Sequence, residues 1–480
     1  MDLRFGFYDK GRKQSEVTIM KTTTKKILTL ILAIVCIATL TVGFVACDTQ
    51  SSTNTAATEQ TTDGNLPPAP PSDGQGGFPG GQGGFPGGQG QGGFPGGQGG
   101  FPGGQGGSNS TAATVTTEGA DTSAIEAQIA AYDFDLEFDD VTDYTELEVT
   151  RVNLDELTED YVITASGNYV FEGTTEYRVV LGAKNIEVHI WLEDATLDSI
   201  FADKKPTSTV ITLVGENTLT GVLSDANDDA KGTLYVKNDL LINGNGSLNI
   251  ASGEDKNGIH CTGKLVIEDA TISVNAGKHG VRGNDAVILK GASLDITATT
   301  DGIQTDNETD DVTVGYIYIE DSDIIVNSGD DGISAATMLY IKSGEVYVDG
   351  PTNSGNSALD TEAGIVIDGG TVVAVGAAGM VETPSTGSAQ NVIVYQGSNI
   401  QVGTQIVLKD ANGNTVLEYT TAKTAQCVIA SSANLATGET YTVYVNGTSV
   451  GSATLSSTVT YLGTQQGMGG QPSGQGGPRR

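Results

Sequence analysis

The stretch Lys256–Asp360 repeats one pattern four times, as Lys256-Asn-Gly-Ile-His, Lys278-His-Gly-Val-Arg, Thr300-Asp-Gly-Ile-Gln and Asp330-Asp-Gly-Ile-Ser. Each copy is followed by a short run of β-forming residues, a turn and a second such run. A unit repeated in this way indicates one supersecondary element that stacks on its own copies. This repeat decides the fold, and the other segments are placed relative to it.

Two apolar runs around a short turn also recur outside this stretch. The last apolar residue before each turn is Ile163, Leu192, Leu213, Ile242, Ile267, Leu289, Ile319, Ile341 and Ile367, with Val394 as a candidate tenth. Alternation within the runs is typical of strands with one face inward, and no amphipathic helix separates them as a βαβ fold requires. We therefore predict an all-β parallel β-helix of about nine coils. An antiparallel sandwich is the alternative, but it does not explain the recurring Gly-Ile corner.

The first 47 residues have the order of a secretory signal, with Met20 a better start than Met1. Lysines precede the apolar run 27–46, which ends in Gly43-Phe-Val-Ala-Cys47. This ending resembles a bacterial lipobox and predicts lipidation of Cys47. An uncleaved membrane anchor is the alternative, since about 20 apolar residues span a bilayer. Both interpretations place the rest of the chain outside the cell, anchored at its surface.

Composition divides the remainder into four parts. Residues 48–119 contain four GGFPGGQ copies and are predicted to be a low-complexity linker. Residues 120–397 are predicted to form the β-helix domain, with a short helix near Ser123–Ala131 capping one end. Residues 398–462 contain hairpin signals such as Asn412-Gly and predict a small antiparallel region. Residues 463–480 form a Gly/Gln tail that we expect to be disordered.

The formal net charge of −35 bears on the partners of the protein. Such a charge repels nucleic acid and anionic membrane surfaces. We therefore expect no nucleic-acid partner, a membrane contact only through the N-terminal anchor, and a monomer. Cys261 and Cys427 are the only cysteines after residue 47, and we expect buried thiols rather than a disulfide framework.

Stacking the copies in register predicts three columns of side chains at one corner. They are Lys256, Lys278, Thr300 and Asp330; Asn257, His279, Asp301 and Asp331; and His260, Arg282, Gln304 and Ser334, which Asp360 extends. Neighbouring coils of a β-helix lie about 4.8 Å apart. The corner therefore changes from basic to acidic along the chain. We expect the glycine between the second and third columns to need a positive φ.

The acidic part of the corner predicts calcium as a cofactor. Stacked carboxylates repel unless a cation lies between them or one is protonated. Calcium takes six to eight oxygen ligands, and the candidates are Asp301, Asp330, Asp331, Asp306 and Asp360. The alternative is that Asp-Gly serves only the turn. Zinc is not expected at His260 and His279, because no further His or Cys is suitably placed.

The basic part predicts a carbohydrate site. Lys256, Lys278 and Arg282 are the candidates for binding an acidic sugar. Tyr318 and Tyr340 in neighbouring coils are candidates for stacking on sugar rings, with ordinary strand packing as the alternative. Polyuronate lyases remove a proton next to the sugar carboxylate with a Lys or Arg. Lys278 or Arg282 would be the base if the protein were an enzyme.

The stacked corners, the signal and linker, and the late segment GETYTVYVNG resemble a bacterial surface family, notably of clostridia, called carbohydrate-binding domain-containing proteins. The resemblance covers about residues 150–462. It implies a right-handed parallel β-helix similar to family 9 pectate lyases, bound calcium, and binding of cellulose and polygalacturonate. The implied metal residues carry over only to Asp301, Asp330 and Asp331. Asn257 and His279 stand where an acid is expected, which implies fewer calcium ions in the early coils.

These observations predict a non-catalytic, calcium-binding surface lipoprotein that binds polysaccharide. An acidic plant polysaccharide such as polygalacturonate is the leading ligand, and cellulose is the second. One alternative is a calcium-dependent, pectate-type lyase. Another is a structural adhesin without a glycan ligand. We favour the non-catalytic reading, and the sequence alone leaves the enzyme question open.

Overall fold

The computed structural model describes residues 123–134, 141–222, 230–306 and 311–463. The predictions for the signal segment, for Cys47, for the linker and for the tail after residue 463 lie outside these ranges. Among the described residues, no helix is both long enough and apolar enough to cross a membrane.

The described ranges contain one α-helix, α1 (Ser123–Ile129), one 3-10 turn (Leu154–Glu156) and thirty-three strands. The strands before the repeat are β1 (Val149–Asn153), β2 (Tyr161–Ile163), β3 (Gly167–Thr174), β4 (Val179–Leu181), β5 (Glu187–Leu197), β6 (Ile200–Ala202), β7 (Ser208–Val214), β8 (Glu216–Leu219), β9 (Gly232–Val236), β10 (Leu240–Asn243) and β11 (Ser247–Glu254). Those of the repeat are β12 (Asn257–Cys261), β13 (Lys264–Glu268), β14 (Thr271–Gly277), β15 (Val281–Gly283), β16 (Ala286–Lys290), β17 (Ser293–Ala298), β18 (Ile303–Thr305), β19 (Tyr316–Glu320), β20 (Ser322–Ser328), β21 (Ile333–Ala335), β22 (Met338–Ile341), β23 (Gly344–Asp349) and β24 (Leu359–Thr361). The last are β25 (Gly364–Ile367), β26 (Thr371–Gly376), β27 (Val392–Ile400), β28 (Gln405–Asp410), β29 (Thr415–Thr420), β30 (Ala425–Ser432), β31 (Thr440–Val445), β32 (Thr448–Thr454) and β33 (Val459–Gly463).

Parallel strands stack in three ladders, one on each face of the coil. The first face contains β1, β3, β5, β7, β10, β13, β16, β19, β22 and β25. The second face contains the end of β5 followed by β8, β11, β14, β17, β20, β23 and β26. The third face is a nine-stranded sheet of β2, β4, β6, β9, β12, β15, β18, β21 and β24. The predicted all-β parallel β-helix of about nine coils is confirmed.

The predicted ladder positions are correct from Ile242 onward, where each marked residue pairs with the next as far as Ile367. Among the earlier positions, Leu192 pairs with Leu213 as predicted, but two other steps are wrong. Ile163 lies on the third face opposite Leu181, and Ile242 stacks on Ile211, two residues before the expected Leu213. These coils carry insertions, and the spacing of apolar residues does not say on which side of a strand an insertion falls.

The core lies inside the coil, where apolar side chains of successive strands stack. On the third face the inward column of Ile259, Val281, Ile303, Ile333 and Leu359 has no exposed surface. Cys261 is also buried in this core, and both it and Cys427 are free thiols, which confirms that prediction. Parallel coils thus bury one continuous apolar interior and leave the corners to carry polar chemistry.

Antiparallel strands close the C-terminal end of the helix. β30 pairs antiparallel with β26 on one side and with β27 on the other. Val394, the candidate tenth ladder position, therefore pairs with Ile429 and does not stack on the last coil. The predicted antiparallel region is confirmed as a separate four-stranded sheet in the order β29-β28-β31-β32, with the Asn412-Gly turn between β28 and β29.

The helix α1 covers a side of the solenoid, so the prediction that it caps an end is wrong. Ile125, Ile129 and Phe134 pack against an outward apolar cluster of the first face, to which Tyr132 also belongs. Its other members are Val210, Leu241, Val266, Ala286, Ile288, Tyr316, Tyr318, Met338 and Val366. The first face therefore has apolar residues on both of its sides, and the N-terminal segment covers the outer one.

Candidate functional site

Hydrogen bonds from coil to coil build the repeated corner. The Asp331 N–H donates to Asp301 Oδ1 at 3.0 Å, and the Ser357 N–H donates to Asp331 Oδ1 at 2.6 Å. In the same way, the His279 N–H donates to Asn257 Oδ1 at 3.3 Å. The second predicted column is confirmed, and its short acids and amides hold the next coil in place.

The corner glycines are required for space and not for their φ angle. Gly258, Gly280, Gly302 and Gly332 do not have positive φ, so that prediction is wrong. A Cβ on Gly258 would lie 2.7 Å from the carbonyl oxygen of Gly280 in the next coil, and on Gly280 and Gly302 the corresponding distance would be 2.6 Å. The four glycines therefore allow the coils to approach closely at this corner.

Two carboxyl groups at the acidic part of the corner have raised pKa values. Burial, together with the negative charges of Asp360, Asp301 and Asp330, raises the pKa of Asp331 to about 7. Burial and the neighbouring Asp360 likewise raise the pKa of Glu382 to about 7. Glu382 was not a predicted site residue, because it follows the last copy of the repeat.

The oxygens of this acidic part serve the protein itself. Asp301 Oδ2 lies 3.2 Å from His279 Nδ1, and Asp330 Oδ1 accepts a hydrogen bond of 2.7 Å from the Asn356 amide. Across the described ranges, no three His, Cys, Asp or Glu side chains are arranged to hold a metal ion. Carboxylate oxygens are the ligands that a hard cation prefers. Here, however, these oxygens accept hydrogen bonds from neighbouring coils.

A pocket of about 420 Å³ opens on the third face. It is lined by Ala230, Lys231, Asp255, Lys256, Asn257, His260, Lys278 and Arg282. We call it the basic pocket. The structure thus brings together the three basic residues predicted to bind carbohydrate. It adds Lys231, which sequence reasoning missed because this lysine precedes β9 and lies outside the repeat.

Two cations of the basic pocket have no counter-ion in the part of the chain that the structure describes. Lys231 and Lys278 form no ion pair or side-chain hydrogen bond with the described residues. The Lys256 ammonium donates to the Ala230 carbonyl, and Arg282 Nη2 lies 2.6 Å from Asp306 Oδ2. Seven of the 24 basic side chains precede residue 47 (24 − 7 = 17), so four of the remaining 17 meet here. In a chain of net charge −35, this is a local concentration of positive charge.

His260 forms the floor of the basic pocket and is held neutral. It is 1% exposed, and burial, followed by the charge of Arg282, lowers its pKa to about 3. Its Nδ1 lies 3.2 Å from the Asn257 amide nitrogen, and its Nε2 lies 3.1 Å from Asn284 Oδ1. Asn257 therefore donates to Nδ1, and Nε2–H donates to Asn284. With both nitrogens engaged, the ring has no free lone pair to accept a proton.

The third predicted column is confirmed. His260, Arg282, Gln304, Ser334 and Asp360 are paired in succession across the third face. They alternate with the inward column, so they form the outward row of that sheet. This row connects the basic pocket with the acidic part of the corner.

Tyr318 and Tyr340 belong to the covered side of the first face. The Tyr318 ring is 3% exposed and stacks on Phe134 at a centroid distance of 4.1 Å. Phe134 lies 6.0 Å from Tyr340, whose hydroxyl donates to Asp368. The two tyrosine rings therefore pack against the protein itself, which was the alternative to stacking on sugar rings. The N-terminal segment occupies the face that a sugar would need.

A family model and a solved structure match parts of this chain. A family model described as "Carbohydrate-binding domain-containing protein" matches residues 158–455. Among solved structures, a polysaccharide lyase-like protein from C. thermocellum, solved as a gadolinium derivative, is 22% identical with a TM-score of 0.38. That match covers 45% of this chain and 95% of the other chain. No curated protein matches the chain. The family match includes the whole third face with the basic pocket and the corner, and the chain belongs to the carbohydrate-binding domain-containing proteins.

Proposed function

We propose that the protein binds an acidic polysaccharide in the basic pocket and does not change it chemically. Family membership supports polysaccharide as the partner, and the acidic class is our proposal. The observation that carries it is the pair of ammonium groups, Lys231 and Lys278, that form no ion pair with any residue of the described ranges. Lys256 and Arg282 add two further positive charges to the same pocket.

The chemistry of the pocket suits the carboxylate of a uronic acid. A guanidinium binds a planar carboxylate through two parallel donors, and ammonium groups add point charges. The pocket extends over β9, β12 and β15, which are three successive coils, or about 10 Å along the solenoid. Several charges therefore face one polymer chain at the same time.

The test compares lysine pairs of equal charge. We expect the double substitution Lys231→Ala and Lys278→Ala to weaken binding to polygalacturonate by roughly tenfold or more, and to reduce its salt dependence. The control removes Lys290 and Lys342, which lie on the first face with carboxylate partners Glu268 and Glu320. Isothermal titration at two salt concentrations measures both effects. Equal losses in the two double variants would contradict the assignment of the pocket.

A lyase is the second candidate, and the geometry leaves one of the two predicted bases for it. Arg282 is paired with Asp306, and both His260 nitrogens are engaged, so Lys278 remains. We expect no ultraviolet absorbance from unsaturated product when the protein is incubated with polygalacturonate and calcium. Product that disappears in Lys278→Ala would replace the binding proposal with a lyase.

We further propose that calcium binds at the acidic part of the corner, through Asp301, Asp330, Asp331 and Asp360 together with Glu382. The raised pKa values of Asp331 and Glu382 support this, since a cation would supply the charge that they lack. Asp306 is not included, because it pairs with Arg282. We expect chelation to lower the melting temperature. Equal melting with and without chelator, and no metal in the purified protein, would contradict the proposal.

The location is also a proposal. The lysine-rich start, the apolar run and Cys47 support an extracellular lipoprotein anchored at the cell surface. We expect Cys47→Ala to release the protein from the membrane fraction of producing cells.

A protein with no affinity for any glycan on an array would favour the structural adhesin instead.

A further inference from the structure

Arg282, a cation of the basic pocket, already holds a carboxylate of its own chain. Its Nη2 donates to Asp306 Oδ2 at 2.6 Å, and its Nε donates to Asn284 Oδ1 at 3.3 Å. The backbone N–H of Asp306 donates to the Asn284 carbonyl at 3.1 Å, which fixes Asp306 at the end of β18. The guanidinium is therefore oriented by one neutral partner and neutralised by one charged partner.

The two partners of this pair differ in their access to solvent. The side chain of Arg282 is 17% exposed, and that of Asp306 is 40% exposed. A ligand that approaches from solvent meets the aspartate more readily than the guanidinium. Among the described residues, in contrast, no carboxylate pairs with Lys231 or Lys278 that a ligand would need to displace.

Building on the proposed function, we propose that Asp306 is an internal competitor that occupies Arg282 in the free protein and gives way to a carboxylate of the bound polysaccharide. The exchange replaces one charge-assisted hydrogen bond with another of the same kind, so it costs little for a uronate. A neutral sugar offers only hydroxyl groups and cannot replace the ion pair. Asp306 would thus lower the affinity for all ligands and would penalise neutral sugars most.

A purely structural role of Asp306 leads to the opposite expectation. If the aspartate only positioned Arg282, its removal would let the guanidinium move and would weaken binding. The competitor role requires that removal strengthens binding and uncovers the guanidinium. The two roles therefore differ in the sign of the effect.

The experiment compares Asp306→Asn with Asp255→Asn. Asp255 lines the same pocket, is exposed and is not paired with Arg282, and asparagine tolerates its φ of 63°. The first readout is the affinity for polygalacturonate by isothermal titration. The second is the rate at which phenylglyoxal modifies Arg282 without glycan, read by peptide mass spectrometry.

We expect Asp306→Asn to bind polygalacturonate roughly two- to tenfold more tightly, since exposed ion pairs and like charges contribute on this scale. Arg282 should also be modified faster in this variant. Asp255→Asn should show a smaller gain and an unchanged rate of modification. If the wild type binds and Asp306→Asn binds no more tightly, the competitor role is wrong and the proposed function stands. If neither protein binds, the proposed function fails and the inference fails with it.

Discussion

At the scale of single residues, the corner glycines illustrate a requirement for close approach. Gly302 faces the carbonyl of Gly332 in the next coil, and its backbone does not have a positive φ. We expect Gly302→Ala to lower the free energy of unfolding by about 1–3 kcal/mol, the usual cost of an overpacked interior. Thermal or denaturant unfolding measures the change. Gly355→Ala is the control, because its Cβ would meet only Asn353 Oδ1, at 3.4 Å. A control loss as large as that of Gly302→Ala would contradict the steric reason.

Asp331 makes the stability of the metal-free protein depend on pH. Its pKa rises from 3.8 to about 7 in the folded state. Between these values the folded protein holds a proton that the unfolded chain releases. This stabilising contribution is therefore complete below about pH 4 and is lost as the pH rises through 7. With chelator present, we expect the melting temperature of Asp331→Asn to fall less than that of the wild type between pH 5 and 8. Asp323→Asn, which removes an exposed acid of β20, should behave as the wild type does.

At the scale of elements, two kinds of strand differ in how well their sequence predicts their surroundings. β14 and β17 alternate between exposed and buried residues, and the alternation identifies their inward face. β16 and β19 read as continuous apolar runs and are buried on both sides. Such runs are typical of strands covered on two faces. The sequence therefore held the signal for a covered first face. It did not say that residues 123–134 supply the cover, because nothing local encodes which distant segment packs there.

That cover should contribute measurably to stability. Phe134 stacks on Tyr318 and meets Tyr316 edge to face at 5.7 Å. We expect Phe134→Ala to lower the free energy of unfolding by about 1–2 kcal/mol, from lost apolar burial and lost ring contacts. Denaturant unfolding measures this, and hydrogen exchange should increase in β16 and β19. Phe134→Leu keeps much of the apolar area and should lose less. Unchanged exchange in these strands would contradict the role of Phe134 as a cover.

At the scale of the whole molecule, the repeat predicts the body of the fold and says less about its ends. Once the coils are in register, the three corner columns follow from geometry alone. The site is less predictable, because Lys231 and Glu382 come from segments outside the repeat. The position of the closing strand β30 is equally hard to predict from the sequence. It pairs antiparallel with β26 and does not contain the repeated pattern.

Removal of the closing strand should affect the entire domain. We expect a chain that stops at residue 424 to lose solubility and to associate, because β26 then presents an unpaired edge with apolar residues such as Val372. Size-exclusion chromatography and the soluble fraction measure this. A chain that stops at Gly463 keeps β30 and should melt as the full chain does. A soluble monomer ending at residue 424 would contradict the role of β30.

The position of β30 also restricts how such a protein can change its length. Duplication of a coil between β12 and β24 would extend three parallel ladders and preserve every neighbour relation. The same duplication after β26 would separate that strand from β30 and leave β27 without its partner. Lineages of this protein should therefore gain and lose coils in the middle of the solenoid, while the last coil and its closing strands are inherited as one unit.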